Sequence, residues 1–311
     1  MTGEHAFDDY RVLNLQVETA PGLYVAANLY EPVGRTGPYP AVLCPHGHFR
    51  GTDDNPEGRF QHNYQQLCSD LARMGAVALT WDMVGWGETT HLPHRVPETT
   101  TLQTWNSIRM VDWLASRKDI DAARIGMTGS SGGGTQTFLA TALDDRISVS
   151  APVVMVSAHW FGGCACESGL PVHQGKNLRT NNVELAALAA PRPQLLVSCG
   201  GDWTCNTPDI EHPYLRDVYA ALGSAEACHN VHLPDEQHDY GPGKQAAVLD
   251  FMARQFALER PEKGPRPART PMGRDALRAW TASTPLPPGA IKSHEAALEA
   301  VKMVTRPAGA P

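Results

Sequence analysis

Short apolar runs separated by long crossovers constrain this chain more than any other feature. Residues 41–44 (Ala-Val-Leu-Cys), 76–81, 125–128, 147–156 and 194–198 are apolar nearly throughout. Such runs suit strands buried on both faces. Between them lie helical patterns: residues 60–74, with Tyr64, Leu67 and Leu71 on one stripe and Gly75 as the stop, then 99–116, 132–143, 211–222 and 244–258. Strands alternating with helices predict an α/β class, a doubly wound and mostly parallel sheet. Residues 10–19 and 23–30 alternate around Pro21-Gly22, so an antiparallel hairpin is expected at the N-terminal edge.

With 311 residues, 42% of them hydrophobic, the chain can bury one large core. After residue 258 the composition shifts. Residues 260–269 read as a Pro-rich linker, followed by a short amphipathic piece (Leu277, Trp280) and a helix near 295–303. The expected division is therefore 1–258 as the principal domain and 259–311 as linker and helical tail. That tail is too small for its own core, so it either packs on the domain or opens something longer. The net charge is −7 and no basic stripe occurs, which argues against nucleic acid or anionic membrane as partner. No apolar run is long enough to span a bilayer, and residues 1–10 lack the pattern of a secretory leader. A cytoplasmic location is expected of the chain as given; a leader outside it would leave no trace.

One glycine-rich loop carries chemistry. The run 125–128 leads into Gly129-Ser130-Ser131-Gly132-Gly133, which is G-x-S-x-G centred on Ser131. A strand turning sharply into a helix strains the residue at the apex and requires small neighbours. A serine hydroxyl is a poor nucleophile unless a histidine takes its proton, an acid orients that histidine, and N–H groups receive the oxyanion. Asp202 follows the run 194–198 on a Gly-Gly turn, and His238 follows the last strand pattern, 227–233. Ligands meet a parallel sheet at the carboxyl ends of its strands. Asp209 and Asp217 fit less well, one capping the next helix and one within it. His229 and His232 lie inside a strand and read as structural. The oxyanion donors are expected to be the N–H of Gly132 and of His48, with Phe49 as runner-up to His48. Asp82, ahead of Gly85 and Gly87, reads as a structural turn. Trp86, Trp160, Phe161 and Trp203 fall on loops at the same edge and are candidates for the substrate cleft.

No metal or other cofactor is predicted. His46-x-His48 and Cys164-Ala-Cys166 each lack further ligands at evident spacing, and the seven cysteines read mainly as buried thiols. Residues 157–182, which contain the Cys pair, have weak periodicity and read as an insertion forming a lid or wall.

In this order, His46-Gly47, Asp82-x-x-Gly-x-Gly, Gly129-x-Ser131-x-Gly133, Asp202 and His238 resemble the α/β-hydrolase superfamily, over roughly residues 10–258. The run 121–133, Ala190-Pro-Arg-Pro193 and His238-Asp-Tyr240 resemble the branch of acetyl xylan esterases, dienelactone hydrolases and prolyl-oligopeptidase catalytic domains. The resemblance implies Ser131 as nucleophile, His238 as base and Asp202 as acid. It also implies a serine carboxylesterase acting on acetyl or other small esters of carbohydrates. Dienelactone hydrolases generally use a cysteine nucleophile, whereas this loop carries Ser131. An aminopeptidase-like or lactone hydrolase on the same triad is the enzymatic alternative. A non-catalytic binding protein on this fold and a metal-dependent hydrolase using His46 and His48 are the readings from other classes. Oligomeric state is not legible.

Overall fold

The computed structural model describes residues 1–49, 51–52, 55–168, 173, 179–260 and 270–305. Residues 261–269, which make up nearly all of the Pro-rich linker, and 169–172 and 174–178 of the insertion lie outside the described residues.

A nine-stranded sheet runs β1 (Gly3–Ala6), β2 (Tyr10–Ala20), β3 (Leu23–Pro32), β5 (Val77–Trp81), β4 (Tyr39–Leu43), β6 (Ile120–Ser130), β7 (Ile147–Val153), β8 (Gln194–Cys199), β9 (Cys228–Leu233). From β5 to β9 every pairing is parallel, while β1, β2, β3 and β5 pair antiparallel. The chain has the α/β-hydrolase fold, a mixed sheet covered by helices on both faces. Strand β1 is an addition to the expected hairpin. Four residues with two exposed positions give too short an alternation to read from sequence.

The apolar runs are continuous because each strand feeds two cores. Successive side chains point to opposite faces. Val42 and Ala78 pack with Leu67 and Leu71 of α1 (His62–Met74) and with Val248 and Phe251 of α7 (Pro242–Phe256). Their neighbours Leu43 and Leu79 pack on the other side with Met110, Val111 and Leu114 of α2 (Thr99–Ala115). A third cluster joins Phe138 of α3 (Gly132–Leu143) to Val183 of α5 (Asn182–Ala187) and Leu215 of α6 (Glu211–Ala221). Between α3 and α5 lies the single turn α4 (Ala165–Ser168).

Residues 270–305 lie against the sheet's N-terminal half. Asn28 Nδ2 and Arg59 Nη1 both donate to Leu277 O, at 3.0 and 2.9 Å. Glu88 accepts the N–H groups of Ala279 and Trp280, at 2.8 and 3.0 Å. The fully buried Arg59 pairs with Asp82 at 2.8 Å and also with Glu88. Asp82 Oδ2 in turn accepts the N–H of Glu88 at 2.6 Å, which closes the turn after β5. Helix α8 (His294–Thr305), with Ala297, Ala300 and Val301, packs on Leu23, Leu92 and Leu102.

Candidate active site

Ser131 sits between β6 and α3 with φ 56° and ψ −122°, one of three non-glycine residues at positive φ among the described residues. Holding a side chain there costs about 1–3 kcal/mol, so the surroundings must enforce it. They do so by close approach: a Cβ on Gly129 or Gly133 would fall 2.3 or 2.1 Å from Pro45 O. Ser131 N–H donates to Val153 O at 3.0 Å. Ser130 is buried, and its hydroxyl lies 3.1 Å from that of Tyr64. Of the two adjacent serines, it is Ser131 that lines the cavity above the sheet.

Asp202 stands on the turn after β8 and His238 on the loop after β9. His238 Nδ1 donates to Asp202 Oδ2 at 2.6 Å. Asp202 Oδ1 takes two further hydrogen bonds, from Thr204 N–H at 2.7 Å and Thr204 Oγ1 at 2.5 Å. Burial pushes the Asp202 carboxyl up, but the bonds from His238 and Thr204 outweigh it and hold the group below the usual carboxylate range. With Nδ1–H committed to the carboxylate, His238 Nε2 is left as the proton-accepting nitrogen. The Trp203 ring lies 4.4 Å from that of His238. Ser131 and His238 line one cavity of about 770 Å³, together with Trp86, Trp160 and Trp203. Phe161 does not line it; its ring stacks on His173 at 4.8 Å.

The loop after β4 roofs Ser131. A Cβ on Gly47 would lie 2.8 Å from that of Ser131, and one on Gly132 would lie 3.0 Å from the His48 ring. His46 is fully buried: Nδ1 donates to Gly47 O at 2.9 Å and Nε2 accepts Met83 N–H at 3.1 Å. Burial pushes its pKa down to about 3, so it is a neutral brace with both nitrogens occupied. It takes no part in the cluster around His48.

That cluster is the feature sequence reasoning missed. His48, His94, Cys164 and Cys166 bring four donor atoms within 4.8 Å of one another. Glu167, buried beside them, accepts from His48 Nδ1 at 2.9 Å, from Gly163 N–H at 2.7 Å and from Ser131 Oγ at 3.5 Å. The Cys164–Cys166 pair was visible, but its partners come from loops 116 and 70 residues away in sequence. His94 lies in an irregular stretch with no periodicity to mark it. Among the described residues, which include all seven cysteines, there is no disulfide. No helix among the described residues is long and apolar enough to cross a membrane.

Residues 22–212 match the family described as X-Pro dipeptidyl-peptidase (S15 family). The solved structure of "Methylesterase BT1017" superposes with a TM-score of 0.85 at 42% identity, covering 97% of this chain and 69% of that one. "Putative hydrolase YtaP" of Bacillus subtilis (strain 168) is 30% identical over 69% of this chain and 76% of its own length. "4-O-methyl-glucuronoyl methylesterase 1" of Sodiomyces alcalophilus is 27% identical over 51% of this chain and 38% of its own.

Proposed function

The chain belongs to the S15 family of α/β-hydrolases, and from that premise we propose a serine carboxylesterase acting on carbohydrate esters. The observation that carries the proposal is the shared cavity. It holds a hydroxyl on a strained strand-to-helix turn and a histidine whose far nitrogen is fixed by a buried carboxylate. Ser131 Oγ attacks the ester carbonyl while His238 Nε2 takes its proton, and Asp202 stabilises the resulting imidazolium. The N–H groups of Gly132 and His48, with Phe49 as the alternative to His48, receive the oxyanion. Collapse of the tetrahedral intermediate expels the alcohol, which leaves with the proton from His238. Water, activated by the same histidine, then hydrolyses the acyl-enzyme.

Among carbohydrate esters, the methyl ester of a sugar acid is the better supported substrate, ahead of an acetylated sugar. The relative that covers 97% of the chain bears the name methylesterase, and a second relative is named for a glucuronoyl methyl ester. Methanol would then be the leaving group and the sugar carboxylate the released acid. Three tryptophans on the cavity wall suit the apolar faces of a saccharide. Assays of methanol release from methyl-esterified uronate oligosaccharides, and of acetate release from acetylated xylan, distinguish the two substrates. A chain that releases neither, in wild-type or Ser131→Ala form, ends the proposal. The family's description favours a second reading, cleavage of an X-Pro amide. Turnover of a dipeptidyl X-Pro nitroanilide faster than of any ester would establish it instead.

A further inference from the structure

We propose that His48, His94, Cys164 and Cys166 bind one zinc ion, in a closed tetrahedral site that fastens the loops around Ser131 together. His48 Nε2 lies 2.8 Å from His94 Nε2, 2.8 Å from Cys166 Sγ and 3.4 Å from Cys164 Sγ. Cys164 Sγ lies 3.4 Å from His94 Nε2. One imidazole nitrogen has a single lone pair or a single proton, and cannot satisfy three such partners.

The far side of each ring sharpens the point. His94 Nδ1 lies 2.6 Å from Val84 O, and a carbonyl only accepts, so Nδ1 carries the proton. His48 Nδ1 faces Glu167 Oε1 at 2.9 Å, with the same consequence. With both rings neutral, the two Nε2 atoms present lone pairs to each other, a repulsive arrangement unless a proton or a metal ion lies between them. Histidines that ligate metals hold their other N–H in this way, on a carboxylate or a backbone carbonyl. A proton would join one pair of atoms only, whereas a metal ion engages all four.

Zinc bonds of about 2.0–2.1 Å to nitrogen and about 2.3 Å to sulfur give tetrahedral edges of about 3.3–3.8 Å. The two 3.4 Å separations already fit, and the two at 2.8 Å need to open by about 0.5–0.8 Å. Two sulfurs and two imidazoles select zinc among the common divalent ions. Four protein ligands leave no position for water, so the site is structural and the nucleophile remains Ser131. Binding converts two thiols to thiolates, releases two protons and involves no change of oxidation state. The ion ties the loop after β4 and the loop before α2 to α4 and the residue preceding it. Through His48 it also sets the position of Glu167 beside Ser131.

The test is metal analysis of the full chain, purified under reducing conditions without chelator. About one zinc per chain is expected. Cys164→Ser/Cys166→Ser should lose it, and Cys205→Ser, which removes an exposed thiol outside the cluster, should keep it. Because the double variant could misfold, wild-type protein is also stripped and reloaded with Co²⁺, which should develop the visible bands of tetrahedral thiolate coordination. Three results overturn the proposal: no bound zinc together with no cobalt spectrum, zinc retained by the folded double variant, or a Cys164–Cys166 disulfide in the reduced preparation. Since the readout is metal content, loss of the esterase reading would leave this result intact.

Discussion

Ser131 Oγ donates to Glu167 Oε1 at 3.5 Å, the outer limit of a hydrogen bond. The carboxylate is already engaged by His48 Nδ1 and by Gly163 N–H. A group so occupied is a poor base, whereas His238 is held by Asp202 with its acceptor nitrogen uncommitted. Glu167→Gln should therefore reduce kcat/KM by less than about tenfold, and His238→Ala by about 10³-fold or more. Steady-state kinetics on one methyl ester decides between them. The reverse ranking would make Glu167 the base.

Asp202→Asn separates catalysis from stability. The amide cannot charge-stabilise the imidazolium, and kcat should fall by about 10³–10⁴-fold. The native pKa of Asp202 lies below its unfolded value of about 3.9, so its contribution to stability is complete above that pH. It is lost as pH falls through the lower, folded pKa. Wild type should exceed the variant in urea midpoint at pH 7, with the gap closing on acidification. A constant gap from pH 7 to pH 2 would contradict the assigned ionisation.

Trp160 is 40% exposed, and its ring lies 5.4 Å from that of Trp203. An aromatic wall of this kind contributes about 0.5–1.5 kcal/mol to a stacked partner. Trp160→Ala is expected to raise KM for an oligosaccharide ester by about three- to tenfold, with kcat/KM for a nitrophenyl acetate unchanged. Equal losses on both substrates would point to a collapsed cavity rather than a saccharide contact.

Arg59→Ala leaves Asp82 and Glu88 without their buried cation. Removing one member of such a pair costs about 3–5 kcal/mol. Chemical denaturation should show that loss. Hydrogen exchange should show faster exchange at the amides of Ala279 and Trp280, whose acceptor is Glu88. Unchanged protection at those two amides would mean the tail is held by other contacts.

The order of strands and helices was legible because two-sided burial makes each parallel strand a continuous apolar run, as at 41–44 and 76–81. The G-x-S-x-G loop was legible because close backbone approach leaves glycine as the residue that fits at 129 and 133. Asp202 and His238 could be anticipated because loops at the carboxyl edge of a parallel sheet converge, and the structure does join them at 2.6 Å. Spacing fails where contact is purely tertiary. His94 and Glu167 lie in stretches without periodicity and meet His48 only because three loops end at the same edge. Strand β1 was missed for brevity, and Phe161, on the expected wall, is turned toward His173 instead.

The hydrogen bond from Arg59 to Leu277 spans 218 residues. Strand β9 ends at Leu233, so the ribosome completes the sheet well before it delivers the carbonyl that this guanidinium needs. At about 5–20 residues per second, synthesis takes several seconds to pass from Leu233 to Leu277. A messenger truncated between the codons for His238 and Leu277 would encode every strand of the sheet and every member of the proposed triad, yet no product that could close around Arg59.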